Sequence, residues 1–363
     1  MTWALVLHVG PSDATARVAG LPLITRLALD AQAAGARTVV LASGLTDPSL
    51  EARTRAALIH PKLTLPIESE PPADVTKLHV AASTVVHRGL FKAIADAGLE
   101  RDLDLRETRF AFDPPWGFDP ISVTDDTSRR RAEAALFRSL RKPQDGWTSR
   151  YLNRYLSLAV SRLLVKTPLR PNQLSVLILA VGLAGAAIAA RGDYLSLVIG
   201  ALLFQAQSVL DGCDGEMSRV TYQGSLLGEW LDTIGDDLTN YGFFAGAAWG
   251  LYTQTGSALY LITGVVTLAC GVIASGLEYR YLLRIGSGDL LKYPLSQSTT
   301  SGTGLMARIG PLFKRDTFVM LTLLGALVGQ LRVMLVVFAL GAVGVLFGVL
   351  STELRLRRER AGS

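Results

Sequence analysis

Residues 211–236 read DGCDGEMSRVTYQGSLLGEWLDTIGD, and this stretch decides what kind of fold the chain must build. It starts where one apolar run, 194–210, stops, and it ends inside the next, 226–252. An ionised aspartate at the centre of a membrane helix costs about 2.5–3.5 kcal/mol on insertion scales. Carboxylates at such a depth therefore face a cavity, a partner or a metal.

The spacing of the aspartates in this stretch favours a metal. Asp211 and Asp214 are three residues apart, so they share one face of a helix. Asp232 and Asp236 are four apart and do the same on the next helix. Two facing pairs make an all-oxygen site, which suits hard cations such as Mg²⁺ or Mn²⁺. A polar helix–helix contact and an ion path in a transporter are the alternatives.

Composition divides the chain into a soluble half and a membrane half. Mean hydropathy is +0.33, and the long apolar runs lie almost wholly after residue 172. The two cysteines, Cys213 and Cys270, lie in or beside apolar helices, which argues against a disulfide framework. The start, MTWALVLHVG, has no basic region followed by a long apolar stretch, so we expect no signal peptide and a cytoplasmic N-terminal half.

The N-terminal half alternates between strand-like and helix-like segments. Runs at 3–9, 37–42 and 78–82 are strand-like, and helical patterns follow at 23–34, 49–59 and 90–97. Such alternation predicts an α/β domain with a doubly wound parallel sheet. Asp125 and Asp126 are either the remnant of a metal site or the N-terminal cap of a helix over 127–140.

The C-terminal half predicts an all-α, multi-pass membrane domain with six transmembrane helices. The apolar segments are 173–190, 194–210, 227–251, 257–279, 316–331 and 333–352. Basic residues cluster in the connections on one side of the membrane and in the C-terminal tail. We therefore expect a protein of the inner (cytoplasmic) membrane with both termini in the cytoplasm. The predicted domains are 1–140, a juxtamembrane segment 141–171, the membrane domain 172–355 and a basic tail 356–363.

The stretch 211–236 is similar to the signature of the CDP-alcohol phosphotransferase (CDP-alcohol phosphatidyltransferase) family, D-x2-D-G-x2-A-R-x8-G-x3-D-x3-D. One position departs, because Ser218 stands where the family has alanine. The resemblance implies transfer of a substituted phosphate group from a CDP-alcohol to a hydroxyl, with release of CMP. It also implies a homodimer and two Mg²⁺ or Mn²⁺ ions. The implied metal ligands are Asp211, Asp214, Asp232 and Asp236, with Asp236 also the catalytic base candidate; the implied nucleotide-binding residues are Asn172, Asp211, Gly215, Ser218, Arg219 and Gly228.

The N-terminal half resembles a sugar-phosphate nucleotidyltransferase, but it lacks that family's essential groups. The phosphate-cradling loop is reduced to GPSDATARVAG at 10–20, and Ser83 stands where a metal-binding aspartate is expected. Unhindered backbone N–H groups are what such a loop offers to phosphates. We therefore expect a degenerate domain that binds a nucleotide, supports folding or holds a partner.

The junction between the two halves, residues 141–171, interleaves aromatic and basic residues. This pattern predicts a basic amphipathic helix at an anionic lipid surface. A nucleic-acid-binding helix is the competing interpretation, and the transmembrane run just beyond disfavours it. The junction resembles that of archaeal bifunctional proteins that fuse an inositol-phosphate cytidylyltransferase to a di-myo-inositol phosphate phosphate synthase. The implied acceptor is inositol phosphate or a related polyol phosphate, with glycerol 3-phosphate as the alternative. Candidate phosphate-binding residues are Lys314, Arg315, Arg280 and Arg284.

Three functional hypotheses remain open at this stage. The first is a membrane phosphotransferase whose donor is CDP-diacylglycerol or a soluble CDP-polyol. The second is a transport protein that uses the acidic cluster as an ion site, which would leave the signature glycines and Arg219 unexplained. The third is a silent scaffold whose soluble domain binds a partner.

Overall fold

The structure is a computed structural model that describes residues 2–10, 16–42, 48–98, 101–106, 117–141, 148–300 and 314–361. The chain forms two compact units. The first comprises 1–141 together with 219–222, and the second comprises 142–218 together with 223–363. The functions assigned to the predicted domains stay predictions.

The first unit is built on a five-stranded parallel sheet. Its strand order is β5-β4-β1-β6-β8, so the first strand lies in the middle. The strands of this sheet are β1 Trp3–His8, β4 Thr38–Leu41, β5 Ile67–Glu68, β6 Thr76–Ala81 and β8 Leu103–Asp104. Two antiparallel pairs accompany it: β2 Arg17–Val18 with β3 Leu21–Pro22, and β7 Thr84–Val85 with β9 Ile121–Ser122. The prediction of a parallel sheet is confirmed.

The described part of this unit contains four helices: α1 Leu23–Ala33, α2 Pro48–Ala57, α3 Leu90–Asp96 and α4 Asp126–Arg138. Leu5 and Leu7 of β1 point to the face that α1 and α3 cover, whereas Val6 points to the other face. Helices α1 and α3 both lie on the same face of the sheet. A doubly wound fold has helices on both faces, so the doubly wound arrangement stays a prediction. The likeness to nucleotidyltransferases stays a prediction too. Asp125 caps α4 by accepting a hydrogen bond from the Ser128 backbone N–H, as the capping interpretation expects.

The second unit is helical. Among its described residues, a π-helical turn, Ser149–Asn153, runs directly into α5 Arg154–Leu164. The remaining helices are α6 Pro171–Ala189, α7 Tyr194–Val220, α8 Leu226–Thr255, α9 Ala258–Ile285, a 3₁₀ turn Leu290–Lys292, α10 Pro294–Thr300, α11 Arg315–Leu327 and α12 Leu331–Ala361.

Four of these helices are long and apolar enough to cross a membrane: α6, α7, α9 and α12. Each of the six predicted apolar segments is mainly helical, although 316–331 crosses the break at 328–330 between α11 and α12, and six spans are not confirmed. The reason is local, since α8 carries Glu229 and three aspartates in its first half and α11 has only 13 residues. The protein is a membrane protein; the number of passes and the side on which the termini lie stay predictions.

Small residues let α6 and α8 approach each other closely. A Cβ atom added to Gly246 would lie 2.6 Å from the carbonyl oxygen of Ala186, which is backbone and has little freedom to move away. Likewise, a Cβ atom on Gly250 would lie 2.7 Å from the carbonyl oxygen of Ala189. Close backbone approach through small residues is how membrane helices gain van der Waals contact without a hydrophobic driving force.

We predict that Gly246→Ala destabilises the helical unit, because the added methyl group must push α6 away from α8. Overpacking of this kind costs about 1–3 kcal/mol, which corresponds to a fall in Tm of roughly 2–10 °C. Thermal unfolding of the detergent-solubilised protein measures the effect. The matched control is Gly276→Ala on α9, where an added Cβ meets no atom within 4 Å. Equal Tm values for the two variants would contradict the assigned packing.

Candidate active site

The signature aspartates come together from two helices of the second unit. Asp211 and Asp214 lie on α7, and Asp232 and Asp236 lie on α8. Asp236 lies near enough to Asp211 and Asp232 to interact with both electrostatically. The side chains of Asp211 and Asp236 are about a quarter exposed, at 24% and 26%, so water reaches one side of the group.

Arg315, at the start of α11, inserts its guanidinium group among these carboxylates. Its Nη1 lies 2.8 Å from Asp236 Oδ1 and 3.4 Å from Asp211 Oδ2. Its other nitrogens donate to Gln207, Thr239 and Asn240. One fixed cation thus contacts both helices that carry the signature. The planar fork of arginine suits it to several oxygen partners at once.

Asp214 is held differently from the other three. It is only 6% exposed, and its Oδ2 accepts a short hydrogen bond from the hydroxyl of Ser175 on α6. Its Oδ1 accepts from the backbone N–H of Gly215. These bonds fix the direction of the carboxylate within the helix bundle, because a hydrogen-bonded buried carboxylate cannot rotate freely without losing a partner.

Asn172 meets the second signature glycine. Its side chain exchanges hydrogen bonds with the Ser225 hydroxyl at 3.3 Å, and that hydroxyl also accepts from the Gly228 N–H to cap α8. A Cβ atom on Gly228 would lie 2.9 Å from Asn172 Oδ1. The glycine therefore leaves room for the Asn172 side-chain amide, whatever it does for a nucleotide.

The remaining predicted residues divide into near and distant ones. Ser218 donates to the Gly215 carbonyl one turn earlier, and Arg219 lies in the last turn of α7. Lys314 directly precedes α11 and so lies beside Arg315 in the chain. Arg280 and Arg284, by contrast, lie on exposed positions of the last turns of α9, and the structure shows neither of them in contact with the aspartates.

Sequence reasoning missed the neutral polar residues around Arg315. Gln207 lies four residues before Asp211, and Asn240 lies four residues after Asp236. An i, i+4 spacing places each on the same helix face as its aspartate. That spacing was the available signal. Asp237, which follows the signature, turns instead to α9, where Ser275 and Tyr279 donate to it.

The donor chemistry of the cluster fits a divalent cation. The oxygen ligands are hard, and the charges of the carboxylates outnumber the one guanidinium. Asp236 Oδ1 is buried and makes no hydrogen bond of good geometry, although Arg315 lies close. Across the described ranges no three acidic, histidine or cysteine side chains stand in a ready metal-binding arrangement. The residue types therefore fit, while the side chains as placed do not yet form a cage.

Comparison with known proteins identifies the family. The family model of the CDP-alcohol phosphatidyltransferases matches residues 169–350, half of the chain. The chain belongs to this family. Membership confirms the prediction of a phosphotransferase enzyme, and the matched range contains every signature residue together with Asn172 and Arg315.

Several relatives are named bifunctional IPC transferase and DIPP synthase. The protein of Archaeoglobus fulgidus is 33% identical over 147 residues, which cover 40% of this chain and 29% of the relative. That of Thermococcus kodakarensis is 34% identical over 147 residues, with 40% and 32% covered. The chain thus matches about a third of the length of these relatives. A crystal structure of Mycobacterium tuberculosis phosphatidylinositol phosphate synthase with CDP-DAG bound is 20% identical, with a TM-score of 0.41, covering 55% of this chain and 93% of that one.

The first unit has a pocket of about 600 Å³ on the face of the sheet opposite α1 and α3. His8 Nε2 and His79 Nδ1 lie 2.9 Å apart at this pocket, and Lys77 and Asp102 line it too. Burial lowers the pKa of His8, and Arg106 acts in the same direction. The sequence assigned these histidines no metal role. That this domain is a degenerate nucleotidyltransferase stays a prediction.

We predict that Arg315→Gln lowers the Tm of the metal-free protein by about 5 °C or more, because the neighbouring carboxylates lose their fixed countercharge. Unfolding is followed in EDTA and again with Mg²⁺ or Mn²⁺. Added cation should stabilise the variant more than the wild type, since it supplies the missing charge. The control is Arg280→Gln, an exposed arginine on α9. If both variants unfold at the same temperature, Arg315 does not neutralise the cluster.

Proposed function

We propose that the chain transfers a substituted phosphate group from a CDP-alcohol to a hydroxyl of inositol phosphate or a related polyol phosphate, releasing CMP. The observation that carries this proposal is the meeting of signature aspartates from α7 and α8 with Arg315 from α11. Such a site offers carboxylates for cations and a guanidinium for a phosphate. The names of the Archaeoglobus and Thermococcus relatives support an inositol-based acceptor.

Asp211, Asp214, Asp232 and Asp236 are the residues that would hold one or two Mg²⁺ or Mn²⁺ ions. When bound, such ions supply positive charge to the phosphate oxygens of the donor and to the leaving group. The Ser175 hydroxyl keeps the Asp214 carboxylate directed, and the polar partners of Arg315 keep that guanidinium at the same site. Positions fixed before the substrate arrives lower the reorganisation needed during reaction.

Asp236 is proposed as the general base. The acceptor hydroxyl attacks the phosphorus that bears the alcohol, the bond from that phosphorus to the CMP oxygen breaks, and the hydroxyl proton passes to the Asp236 carboxylate. A base must lie within hydrogen-bond reach of the proton that it takes. The position of Asp236 supports the assignment, since its Oδ1 lies 2.8 Å from Nη1 of Arg315, the group proposed to hold the acceptor phosphate.

Arg315 and Lys314 are proposed to bind the phosphate of the acceptor. Arginine binds phosphate through paired N–H groups, and the position of Arg315 beside Asp236 would hold the acceptor next to its base. Arg280 and Arg284 are weaker candidates, because they lie exposed on α9. The nucleotide is assigned to Asn172, Gly215, Ser218, Arg219 and Gly228 on the family resemblance. A homodimer and cytoplasmic termini complete the proposal.

We predict that Asp236→Asn lowers kcat for CMP release by at least about 10³-fold, since it removes both a base and a cation ligand. Release of CMP by purified protein with Mg²⁺ or Mn²⁺ is the assay. Asp237→Asn is the matched control, because that neighbouring carboxylate binds Ser275 and Tyr279 instead. It should retain activity within about tenfold. An Asp236→Asn protein that keeps a tenth of the wild-type rate is incompatible with the assignment.

The acceptor is tested with CDP-diacylglycerol and CDP-inositol as donors against inositol phosphate, glycerol 3-phosphate and unphosphorylated inositol. We expect inositol phosphate to be used best and Arg315→Lys to raise its KM by about tenfold, because the bidentate contact is lost. Equal use of unphosphorylated inositol would contradict a phosphate-binding role for Arg315. Ion flux through proteoliposomes without CMP release would favour the transport hypothesis instead.

A further inference from the structure

Glu216 is a buried acidic residue that the proposed chemistry does not use. It lies within the stretch 211–236, at a position that the family signature leaves variable. The residue is 0% exposed. A buried carboxylate persists only when it is paired with a cation or fully hydrogen-bonded. The hydrogen-bond partners of Glu216 therefore indicate its role.

All of the partners of Glu216 in the described structure lie on α5. Arg154 Nη1 and Ser157 Oγ each donate to Glu216 Oε1 at 2.7 Å, and Ser161 Oγ donates to Oε2 at 2.7 Å. Residues 154, 157 and 161 share one face of the helix. One face of α5 thus consists of donors that converge on a single carboxylate of α7. We call this group of four residues the α5 clasp.

The opposite face of α5 is apolar and exposed. Tyr155 and Leu163 of α5 are 53% and 68% exposed, and Tyr151 of the preceding π-helical turn is 65% exposed, which is the distribution expected of a helix at a lipid surface. Val160 and Leu164 add apolar packing near Cys213 and Met217 of α7. Apolar packing of this kind tolerates sliding and rotation, whereas three directed hydrogen bonds to one carboxylate do not.

The backbone of α7 also comes close to the clasp side chains of α5. A Cβ atom on Gly212 would lie 3.2 Å from Ser157 Oγ, so a larger residue there would press on α5. The chain just before α5 also contacts α11, since the backbone N–H of Ser149 donates to Asp316, the neighbour of Arg315. The segment 149–161 therefore contacts the helix that bears two signature aspartates and the helix that bears Arg315.

We infer that Glu216 is a positioning residue, which fixes the rotation of α7 by holding it against α5. Each residue turns an α-helix by about 100°, so Glu216 points to the side of α7 roughly opposite Asp214. Because α7 is held on the side opposite Asp214, the carboxylates of Asp211 and Asp214 are presented in one direction only. The inference rests on the proposed function, because the presented carboxylates are the proposed cation ligands.

The activity test uses the full-length protein in detergent, with CMP release as the readout. Glu216→Gln removes the negative charge that lies 2.7 Å from Arg154 Nη1, and kcat should fall by about 10–100-fold, as for other residues that orient cation ligands. KM for the donor should rise as well, because Gly215, Ser218 and Arg219, to which the nucleotide is assigned, lie on α7 and turn with it. The double variant Arg154→Gln, Glu216→Gln removes both members of the ion pair and should recover activity to within about threefold of wild type. Lys166→Gln, an exposed change just after α5, is the control.

A second readout follows α5 without any substrate. Cys213 is 0% exposed, and its Sγ lies 3.5 Å from the Ser157 carbonyl oxygen, at the contact between α5 and α7. With Cys270→Ala it becomes the only cysteine of the chain. The reaction of the Cys213 thiol with a maleimide should be slow in the Cys270→Ala protein. It should be at least about tenfold faster when Glu216→Gln is added, because local opening of the contact between α5 and α7 exposes the thiol.

The expected pattern is a lower kcat, faster labelling of Cys213 and recovery of both in the double variant. Glu216→Gln with kcat within twofold of wild type overturns the inference, as does faster labelling with unchanged kcat. If Glu216→Gln does not fold, Ser161→Ala removes one donor only and should lower kcat about threefold; no change there also overturns it. A wild type that releases no CMP refutes the proposed function, and the labelling then still decides whether Glu216 holds α5.

Discussion

Everything in the helical unit depends on how negative charge is compensated inside an apolar bundle. Four signature aspartates lie on α7 and α8, and one guanidinium, that of Arg315, contacts two of them. Removing charges from water is costly, and close opposite charges offset that cost only with good geometry and further hydrogen bonds. Gln207 and Asn240 supply such bonds to Arg315. The remaining negative charge is what makes the site attractive to divalent cations.

Two different devices orient the helices that carry this charge. Between α6 and α8 the device is size, because Gly246 and Gly250 bring backbone against backbone. Between α5 and α7 the device is a directed polar contact, since Glu216 collects three hydrogen bonds from one helix face. Size fixes a distance but allows rotation, whereas a carboxylate with three donors fixes a rotation. Together they constrain both helices on which the aspartates lie.

The sequence predicted what lies within one element far better than what meets across elements. The i, i+3 and i, i+4 aspartate pairs, the strand and helix segments of the first unit and the capping role of Asp125 could all be read from local spacing. The entry of Arg315 could not, because it comes from another helix and resembles ordinary flanking positive charge. Glu216 was missed for a similar reason, since its donors precede it by more than fifty residues.

Gly228 shows why a signature residue must be explained by its contacts before it is given a chemical role. The resemblance implies that this glycine lets a nucleotide approach the backbone. In the structure its missing side chain makes room for Asn172, whose amide meets the cap of α8 at Ser225. A larger residue would displace the Asn172 side-chain amide and disturb its hydrogen bonds with Ser225. Asn172 lies on α6, the helix that also carries Ser175, the donor that directs Asp214. The glycine thus has a packing role at the start of α8 even with no nucleotide bound.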